Sequence, residues 1–227
     1  MASTCMKPFQ GTVMRVTKLD ACGAPVHGSK SFVVTDGFVS VELKAQIEAA
    51  TEYKVKGAND RFIINTTGRP QLQWYDVTLN FASVDPEAYS IMTGMPIVLD
   101  DAATPNSVGF RVDDSLFQDF ALEVWTQLDG QACVGGNVAY GYLLLPWVTN
   151  AVLGDFTVQN QLIDFPISSA RTKKGGAWGT GPFNVNKGMV DGLGHPLLTS
   201  IGANQHLDLH VTYLAPPAAQ CGAQNLP

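Results

Sequence analysis

The clearest group of potential metal ligands lies near the carboxyl end of the sequence. His206, Asp208 and His210 alternate along a stretch that is typical of a β-strand, so all three side chains are expected on one face. Imidazole and carboxylate groups are common zinc ligands. The same alternation also describes any solvent-facing strand, and no third histidine lies nearby in the sequence. We therefore predict no metal site and keep a metal-dependent enzyme at these residues as an alternative.

Motifs of the common catalytic classes are absent from the sequence. It has no G-x-S-x-G nucleophile elbow, and residues 181–188 contain a lysine without the following serine or threonine of a phosphate-binding loop. The acidic pairs Asp100–Asp101 and Asp113–Asp114 are adjacent in sequence, so on a strand each pair points to opposite faces. We predict that the protein is not an enzyme, with no catalytic residue and no cofactor.

Tryptophans raise the alternative of a carbohydrate-binding β-sandwich module. Trp74, Trp125, Trp147 and Trp178 lie in four separate segments. This spread favours packing in a core or an interface over a shared stacking platform for a sugar.

Composition bounds the function classes further. The chain has 227 residues, of which 15% are charged, and a net charge of −6; typical soluble domains carry about 25% charged residues. Because interface cores are depleted of charge, the low content favours a protein with large protein–protein contacts. The acidic balance, without a basic patch, argues against a protein that wraps nucleic acid.

Targeting and membrane signals are also weak. No apolar stretch follows Lys7 near the start, so we expect no signal peptide. The longest apolar run, residues 138–148, is about half of the roughly 20 residues that a membrane-spanning helix needs. The cysteines form no C-x-x-C pair, and we expect them to be reduced in a protein made in the cytosol. They are Cys5, Cys22, Cys133 and Cys221.

Period-two alternation of apolar and polar residues dominates the chain and indicates half-buried strands. It predicts strands within residues 12–17, 39–44, 75–81, 119–124 and 206–213. One-sided burial of this kind is typical of antiparallel sheets with one wet face. The expected fold is therefore mainly β, an antiparallel sandwich or barrel.

Local signals add one helix and one turn. Asp85 suits a helix N-cap, Pro86 the first turn and Gly94 the left-handed residue after the end, so we predict one short flanking helix over residues 86–93. Asp36–Gly37 predicts a hairpin turn between two strands.

The domain organisation is expected to be simple. We predict a single domain over residues 1–227, with a β core at about 10–214 and terminal arms at 1–9 and 215–227. Residues 44–70 are predicted to be a long loop between strands, and long ordered loops often carry contacts.

Five stretches, in order, resemble the major tail proteins, or tail tube subunits, of siphophages that infect actinobacteria. They are residues 14–25 (MRVTKLDACGAP), 34–41 (VTDGFVSV), 84–94 (VDPEAYSIMTG), 140–147 (YGYLLLPW) and 178–185 (WGTGPFNV). The resemblance implies a sandwich of the phage tail tube type with a small flanking helix. It also implies a structural virion protein that polymerises as stacked hexameric rings and conducts genomic DNA during ejection.

The expected partners follow from that resemblance. They are further copies of the chain, the tape measure, tail terminator and distal tail proteins, and duplex DNA passing non-specifically through the lumen, with no membrane partner. The expected location is the virion tail, after assembly in the host cytoplasm. Other virion β-proteins, such as a capsid decoration protein or a tail terminator, remain alternatives.

Two sets of residues are predicted to serve such a tube. An uncharged or acidic lumen lets DNA slide, because the duplex carries one negative charge per about 1.7 Å. The lumen-facing candidates are the polar strand residues Ser40, Glu42, Asp76, Thr78, Asn80, Asp119 and Glu123. The candidates for stacking one ring on the next lie in the predicted loop and are Tyr53, Lys54, Lys56, Asn59 and Arg61.

Overall fold

Antiparallel strands and one short helix make up the computed structural model, as the alternation and the capping signals predict. The structure describes residues 7–114, 117–128, 138–158, 160, 163–178, 193–197 and 199–226. Cys5, Cys133, most of the resemblance segment at 178–185 and the first six residues of the predicted amino-terminal arm lie outside that range. Cys22 and Cys221 are exposed free thiols.

The described part of the chain contains fourteen strands and one α-helix. The strands of the first half are β1 Pro8–Lys18, β2 Gly28–Thr35, β3 Phe38–Glu48, β4 Glu52–Lys56, β5 Phe62–Thr67 and β6 Gln71–Phe81. The helix is α1 Pro86–Thr93. The remaining strands are β7 Ile97–Leu99, β8 Ser107–Phe110, β9 Phe120–Leu128, β10 Tyr140–Thr149, β11 Val152–Leu153, β12 Phe165–Thr172, β13 Asp208–Thr212 and β14 Gln220–Leu226.

Ten strands join in one sheet with the order β14-β2-β1-β9-β10-β12-β6-β3, and β13 and β11 pair with β10 and β12. The sheet turns a corner at β10. Its first part pairs with β9 and β13, whereas Val148 and Thr149 at its end pair with β12. After Asn150, which has a positive φ of 61°, β11 continues along β12. The corner divides the sheet into a first layer (β14, β2, β1, β9, β10, β13) and a second layer (β12, β6, β3, with β11).

The link between β2 and β3 shows that the two layers fold onto each other. These strands stand near opposite ends of the sheet order, yet only Asp36 and Gly37 separate them. The predicted hairpin at Asp36–Gly37 is therefore wrong, because β2 pairs with β1 and β14 while β3 pairs with β6. The turn signal was local, whereas the pairing of each strand was decided by distant segments.

The main core fills the space between the layers. Met14, Val33, Leu79, Leu122 and Ile167 come from both layers and are all buried. The helix closes this core, with Tyr89 donating its hydroxyl hydrogen to the carbonyl of Phe165 at 2.7 Å.

Helix α1 begins and ends where the sequence predicts. The Asp85 carboxylate accepts a hydrogen bond from the amide of Glu87 at 2.9 Å, and Gly94 takes the left-handed φ of 81°.

A second core covers the outer side of the first layer. Trp125 and Tyr142 on that side are buried beneath Trp178 and Leu197, which lie in the connections that follow β12. The amide of Lys173 bonds to the carbonyl of Trp147 at 2.9 Å and anchors the start of this cover. The first layer therefore has two buried faces, and the expectation of one wet face holds only for the second layer.

Two of the predicted irregular segments are largely strands. Residues 44–70, predicted to be a loop, contain the end of β3 and the paired strands β4 and β5. The predicted carboxyl-terminal arm includes β14, which pairs with β2 at the edge of the sheet. The amides of Gly222 and Ala223 donate to the carboxylates of Asp85 and Glu87, so contacts remote in sequence order this strand.

Candidate assembly surfaces

Strands β4 and β5 prolong the ladder formed by β3 and β6. Glu48 pairs with Gln71 in the first ladder, and Glu52 pairs with Thr67 in the second. The step from Glu48 to Glu52 is four residues, and so is the step from Gln71 back to Thr67. The two ladders are therefore in the same register. The amide of Gly68 also bonds to the carbonyl of Thr51 at 3.0 Å within that break. Residues 38–81 therefore form one long interrupted hairpin.

The tip of this hairpin, β4 with β5, is apolar and exposed. Alternation and pairing place Tyr53, Val55 and Ile64 on one face, where their exposed fractions are 59%, 49% and 47%. Phe62, which is 53% exposed, pairs with Lys56 beyond a shift in register. Every residue of the two strands is exposed. An isolated two-stranded hairpin is marginally stable in water. An exposed apolar patch of this kind is typical of a surface that a partner covers.

The predicted ring-stacking residues do lie together on the hairpin tip. Tyr53, Lys54 and Lys56 belong to β4, and Asn59 and Arg61 lie in the turn that leads to β5. The ammonium group of Lys56, at the end of β4, bonds to Asp60 in the turn at 2.8 Å and lies 5.5 Å from the Phe62 ring centre.

Sequence reasoning missed the apolar members of the tip. Phe62, Ile63 and Ile64 were not proposed as contact residues. The alternation of Glu52–Lys56 and the apolar run after Arg61 were the signals that could have found them.

A polar face on the second layer collects five of the seven predicted lumen residues. Ser40 pairs with Asn80 and Glu42 with Thr78 across β3 and β6, and the Asn80 amide donates to the Ser40 hydroxyl oxygen at 2.8 Å. Asp76 continues the same row opposite Lys44.

Charges on this polar face are balanced. The Asp76 carboxylate accepts hydrogen bonds from Gln46 and Trp74 at 2.6 and 2.8 Å, and Arg171 lies 3.5 Å away. Glu42, Lys44, Asp76 and Arg171 border a shallow cavity of about 350 Å³. Two carboxylates thus face two cations, which gives the surface a nearly neutral character.

Glu123, the sixth predicted lumen residue, is buried, so its prediction as a wet-face residue is wrong. Its carboxylate accepts a hydrogen bond from the Arg15 guanidinium at 2.6 Å and one from the Tyr142 hydroxyl at 2.5 Å. Burial lowers the pKa of Arg15, but the charge of Glu123, its hydrogen bond with Arg15 and the nearby Tyr142 together raise that pKa above its ordinary value. The side chain points away from the main core, as the alternation predicts, but into the second core.

Asp119, the seventh, sits at the rim of the second core. It accepts hydrogen bonds from the Trp147 indole at 2.8 Å and from the Lys173 ammonium at 3.0 Å. Burial tends to raise the pKa of Asp119, but hydrogen bonds from Thr149, Trp147 and Lys173 hold it below its ordinary value. Asp119 therefore anchors the cover of the first layer and is separate from the polar face of β3 and β6.

One edge of the sheet is also a candidate contact. Strand β3 is the last in the sheet order, and its outer edge pairs with no strand in the described parts of the chain. Val39 and Ile47 on this strand are 58% and 62% exposed. A long apolar edge strand is a template for pairing with another chain.

The potential metal ligands do not form a metal centre. His206 precedes β13 and its Nδ1 contacts the Thr172 hydroxyl at 2.9 Å, whereas His210 Nδ1 contacts Asp208 at 3.1 Å. Among the described residues, no three histidine, cysteine or acidic side chains come together as a metal would require.

The four tryptophans occupy separate places. Trp125 and Trp178 are buried. Trp74 lies under the Arg171 guanidinium at 4.8 Å, and Trp147 lies under the Lys173 ammonium at 4.6 Å. Trp74 and Trp147 each face a different cation, so the four indoles form no shared platform for a sugar.

No protein-family model matches the chain, and no curated protein sequence matches it either. None of the helical residues described forms a segment long and apolar enough to cross a membrane.

Proposed function

We propose that this protein is the tail tube subunit of a long-tailed phage, which assembles as stacked hexameric rings and conducts DNA during ejection. The observation that carries this proposal is the long hairpin of residues 38–81, whose apolar tip is exposed at every residue of β4 and β5. A tip of this kind is stable when it packs on another molecule. Further copies of the chain supply that surface in every ring of a tube.

The second layer supports the lumen role. Its strands β3, β6 and β12, together with β11 and the adjoining end of β10 along the far edge of β12, amount to four strands side by side. If six subunits each lend about four strands spaced about 4.8 Å apart, the perimeter is about 115 Å. That perimeter gives a wall roughly 40 Å across once the strands tilt, which is wide enough for duplex DNA.

The balanced polar face supports passage of DNA without capture. Glu42 and Asp76 offset Lys44 and Arg171 on the exposed side of the second layer. Because affinity for a duplex comes mostly from cations that neutralise phosphates, a surface without excess positive charge holds the duplex weakly.

The free edge of β3 supports closure of the ring. Its outer edge is available along eleven residues, and a strand from a neighbouring subunit would remove that exposed edge. Such a subunit also meets the tape measure, tail terminator and distal tail proteins at the tail and resides in the virion.

Electron microscopy of the purified chain tests the proposal. We expect long hollow tubes from the natural sequence. The double substitution Val55→Asp and Ile64→Asp places two charges on the apolar face of the tip and should abolish the tubes while leaving the fold intact. The matched control is Val108→Asp with Val112→Asp, two exposed apolar positions (59% and 67%) in and just after β8, outside residues 38–81, which should still form tubes.

The same images separate the alternatives. Closed rings or discrete trimers from the natural sequence would contradict the tube and favour a terminator or a decoration protein. A stable monomer that binds glycans would favour the carbohydrate-binding module.

A further inference from the structure

Exposed aspartates mark one end of the second layer. Phe38 and Phe165 both pair with Phe81, so the three strands are level there. Asp36 precedes β3 and Asp164 precedes β12, both within two residues of that level. The amide of Gly154 bonds to the carbonyl of Pro166 at 2.8 Å, which brings Asp155 to the same end. We name Asp36, Asp155 and Asp164, all exposed, the aspartate row.

The opposite end of the same strands carries a basic cleft. A cavity of about 390 Å³ opens where β12 ends, and its lining includes Trp74, Asn150, Arg171, Lys174 and His206. From Phe165 to Arg171 is six residues, or about 20 Å along the strand. The aspartate row of one chain therefore lies too far from its own cleft to reach it.

Most cations of the cleft already have partners, and one does not. Arg171 lies 3.5 Å from Asp76, and Lys173 lies 3.0 Å from Asp119. Lys174 is exposed and makes no ion pair with any residue that the structure describes. The cleft thus has an uncompensated positive charge.

His206 adds a buried ring nitrogen, Nε2, that has no hydrogen-bond partner among the described residues. The Thr172 hydroxyl oxygen accepts from the amide of Tyr75 at 2.9 Å and also contacts His206 Nδ1 at 2.9 Å. Burial, followed by the charge of Lys174, lowers the pKa of His206, so near neutral pH the ring is uncharged. In the tautomer whose Nδ1 accepts from Thr172, the ring hydrogen lies on Nε2.

That donor has no partner within the described chain. His206 is 5% exposed, and its Nε2 is buried without a hydrogen bond to any described residue. A buried donor without an acceptor is costly. An anionic group in the cleft would satisfy it beside the ammonium of Lys174.

From this arrangement we infer that the basic cleft receives an aspartate carboxylate from the aspartate row of a second copy of the chain. The two surfaces are complementary in charge and lie at opposite ends of the same strands, so contact between them joins copies head to tail. This inference rests on the proposed function, since it identifies a contact between copies within a tube. It places Lys174 and His206 at one side of that contact and the aspartate row at the other.

Charge exchange tests this contact. One variant carries Lys174→Glu, and the other carries Asp36→Lys, Asp155→Lys and Asp164→Lys. Each alone sets like charges against each other, so we expect self-association to weaken by about tenfold or more in sedimentation at low salt. An equimolar mixture restores opposite charges across the contact and should recover association. Lys7→Glu, an exposed charge change outside the cleft, is the matched control and should associate like the natural chain.

Three results overturn the contact. The first is a Lys174→Glu variant that associates as strongly as the Lys7→Glu control. The second is a mixture that fails to recover association although both variants retain the natural circular dichroism spectrum. The third is a shift of the His206 ring signals in nuclear magnetic resonance when inorganic phosphate is added, without any weakening of association. That result would make the cleft a site for small anions.

Electron microscopy distinguishes a failure of this contact from a failure of the proposed function. If both charge variants form normal tubes, the contact is wrong and the tube stands. If the natural chain forms only closed rings, the tube is wrong, and recovery of association in the mixture still decides whether the cleft joins copies. A natural chain that remains a monomer contradicts both.

Discussion

Two strand faces with the same sequence pattern differ in this protein, because one is exposed to water and the other is buried. On β6, Asp76 and Thr78 alternate with apolar residues and lie on the exposed polar face. Asp119, just before β9, and Glu123 on β9 alternate with apolar residues in the same way, yet Glu123 is fully buried. Alternation thus identifies which residues share a face, but it does not say whether water or another part of the chain covers that face.

The difference arises from the cover of the first layer. The connections after β12 bring Trp178 and Leu197 over the outer side of β9 and β10, whereas the outer side of β6 carries no second core among the described residues. A charge beneath such a cover must be paired. Glu123 meets this need through Arg15, whose guanidinium also lies 5.4 Å from the Trp125 ring.

The largest expected effect in this comparison comes from breaking the buried pair. Glu123→Ala leaves the Arg15 charge buried without its partner, so we expect a loss of about 3–5 kcal/mol in the free energy of unfolding. Urea denaturation followed by circular dichroism measures it. Replacing both residues, Arg15→Met with Glu123→Leu, should cost less, because no unpaired charge remains, although the Tyr142 hydroxyl loses its acceptor. A double variant as unstable as the single one would contradict this account of the pair.

A smaller loss is expected from Tyr142→Phe. The substitution removes the hydroxyl that donates to Glu123 at 2.5 Å but keeps the ring against Trp125. A hydrogen bond to a charged group contributes about 1.5–3 kcal/mol, and we expect a loss within that range in the same denaturation experiment. Tyr53→Phe on the exposed hairpin is the matched control and should leave the stability of the isolated chain nearly unchanged.

At the rim of the covered face, Asp119 should make stability sensitive to acid. Its pKa is lower in the folded chain than its ordinary value of 3.8, so it stabilises the fold fully above that value. The contribution is lost as pH falls from 3.8 through the lowered pKa. Unfolding midpoints measured against pH should therefore decline less steeply in this window for Asp119→Asn. An unchanged slope would show that Lys173 and Trp147 do not stabilise the carboxylate.

The smallest effect is expected on the exposed face. Glu42→Ala removes a carboxylate that lies in water on β3, so the free energy of unfolding should change by no more than about 0.5 kcal/mol. A loss as large as that of Glu123→Ala would mean that the two faces are alike after all.

Features with local causes were predictable from the sequence. The bounds of α1 follow from Asp85, Pro86 and Gly94, which act on the backbone within one turn of themselves. Alternation likewise located the central strands and the members of each face. Of the candidate contact surfaces, it grouped Ser40, Glu42, Asp76, Thr78 and Asn80 correctly on one face.

The hairpin of residues 38–81 shows where such signals fail. Its tip strands are only five and six residues long and wholly exposed, so they lack the one-sided burial pattern that marks a strand next to a core. The turn at Asp36–Gly37 was found, but the partners of the strands on either side lie elsewhere in the sheet.

The sequence by itself determined the mainly β character, the helix and the membership of each strand face, because neighbouring residues decide those properties. Only the tertiary structure decided which face is covered, which strands pair and which charges are buried. Arg15 and Glu123 are 108 residues apart, and β14 is held by carboxylates more than 130 residues before it. Contacts at such separations depend on how the whole sheet folds over itself, which no local pattern records.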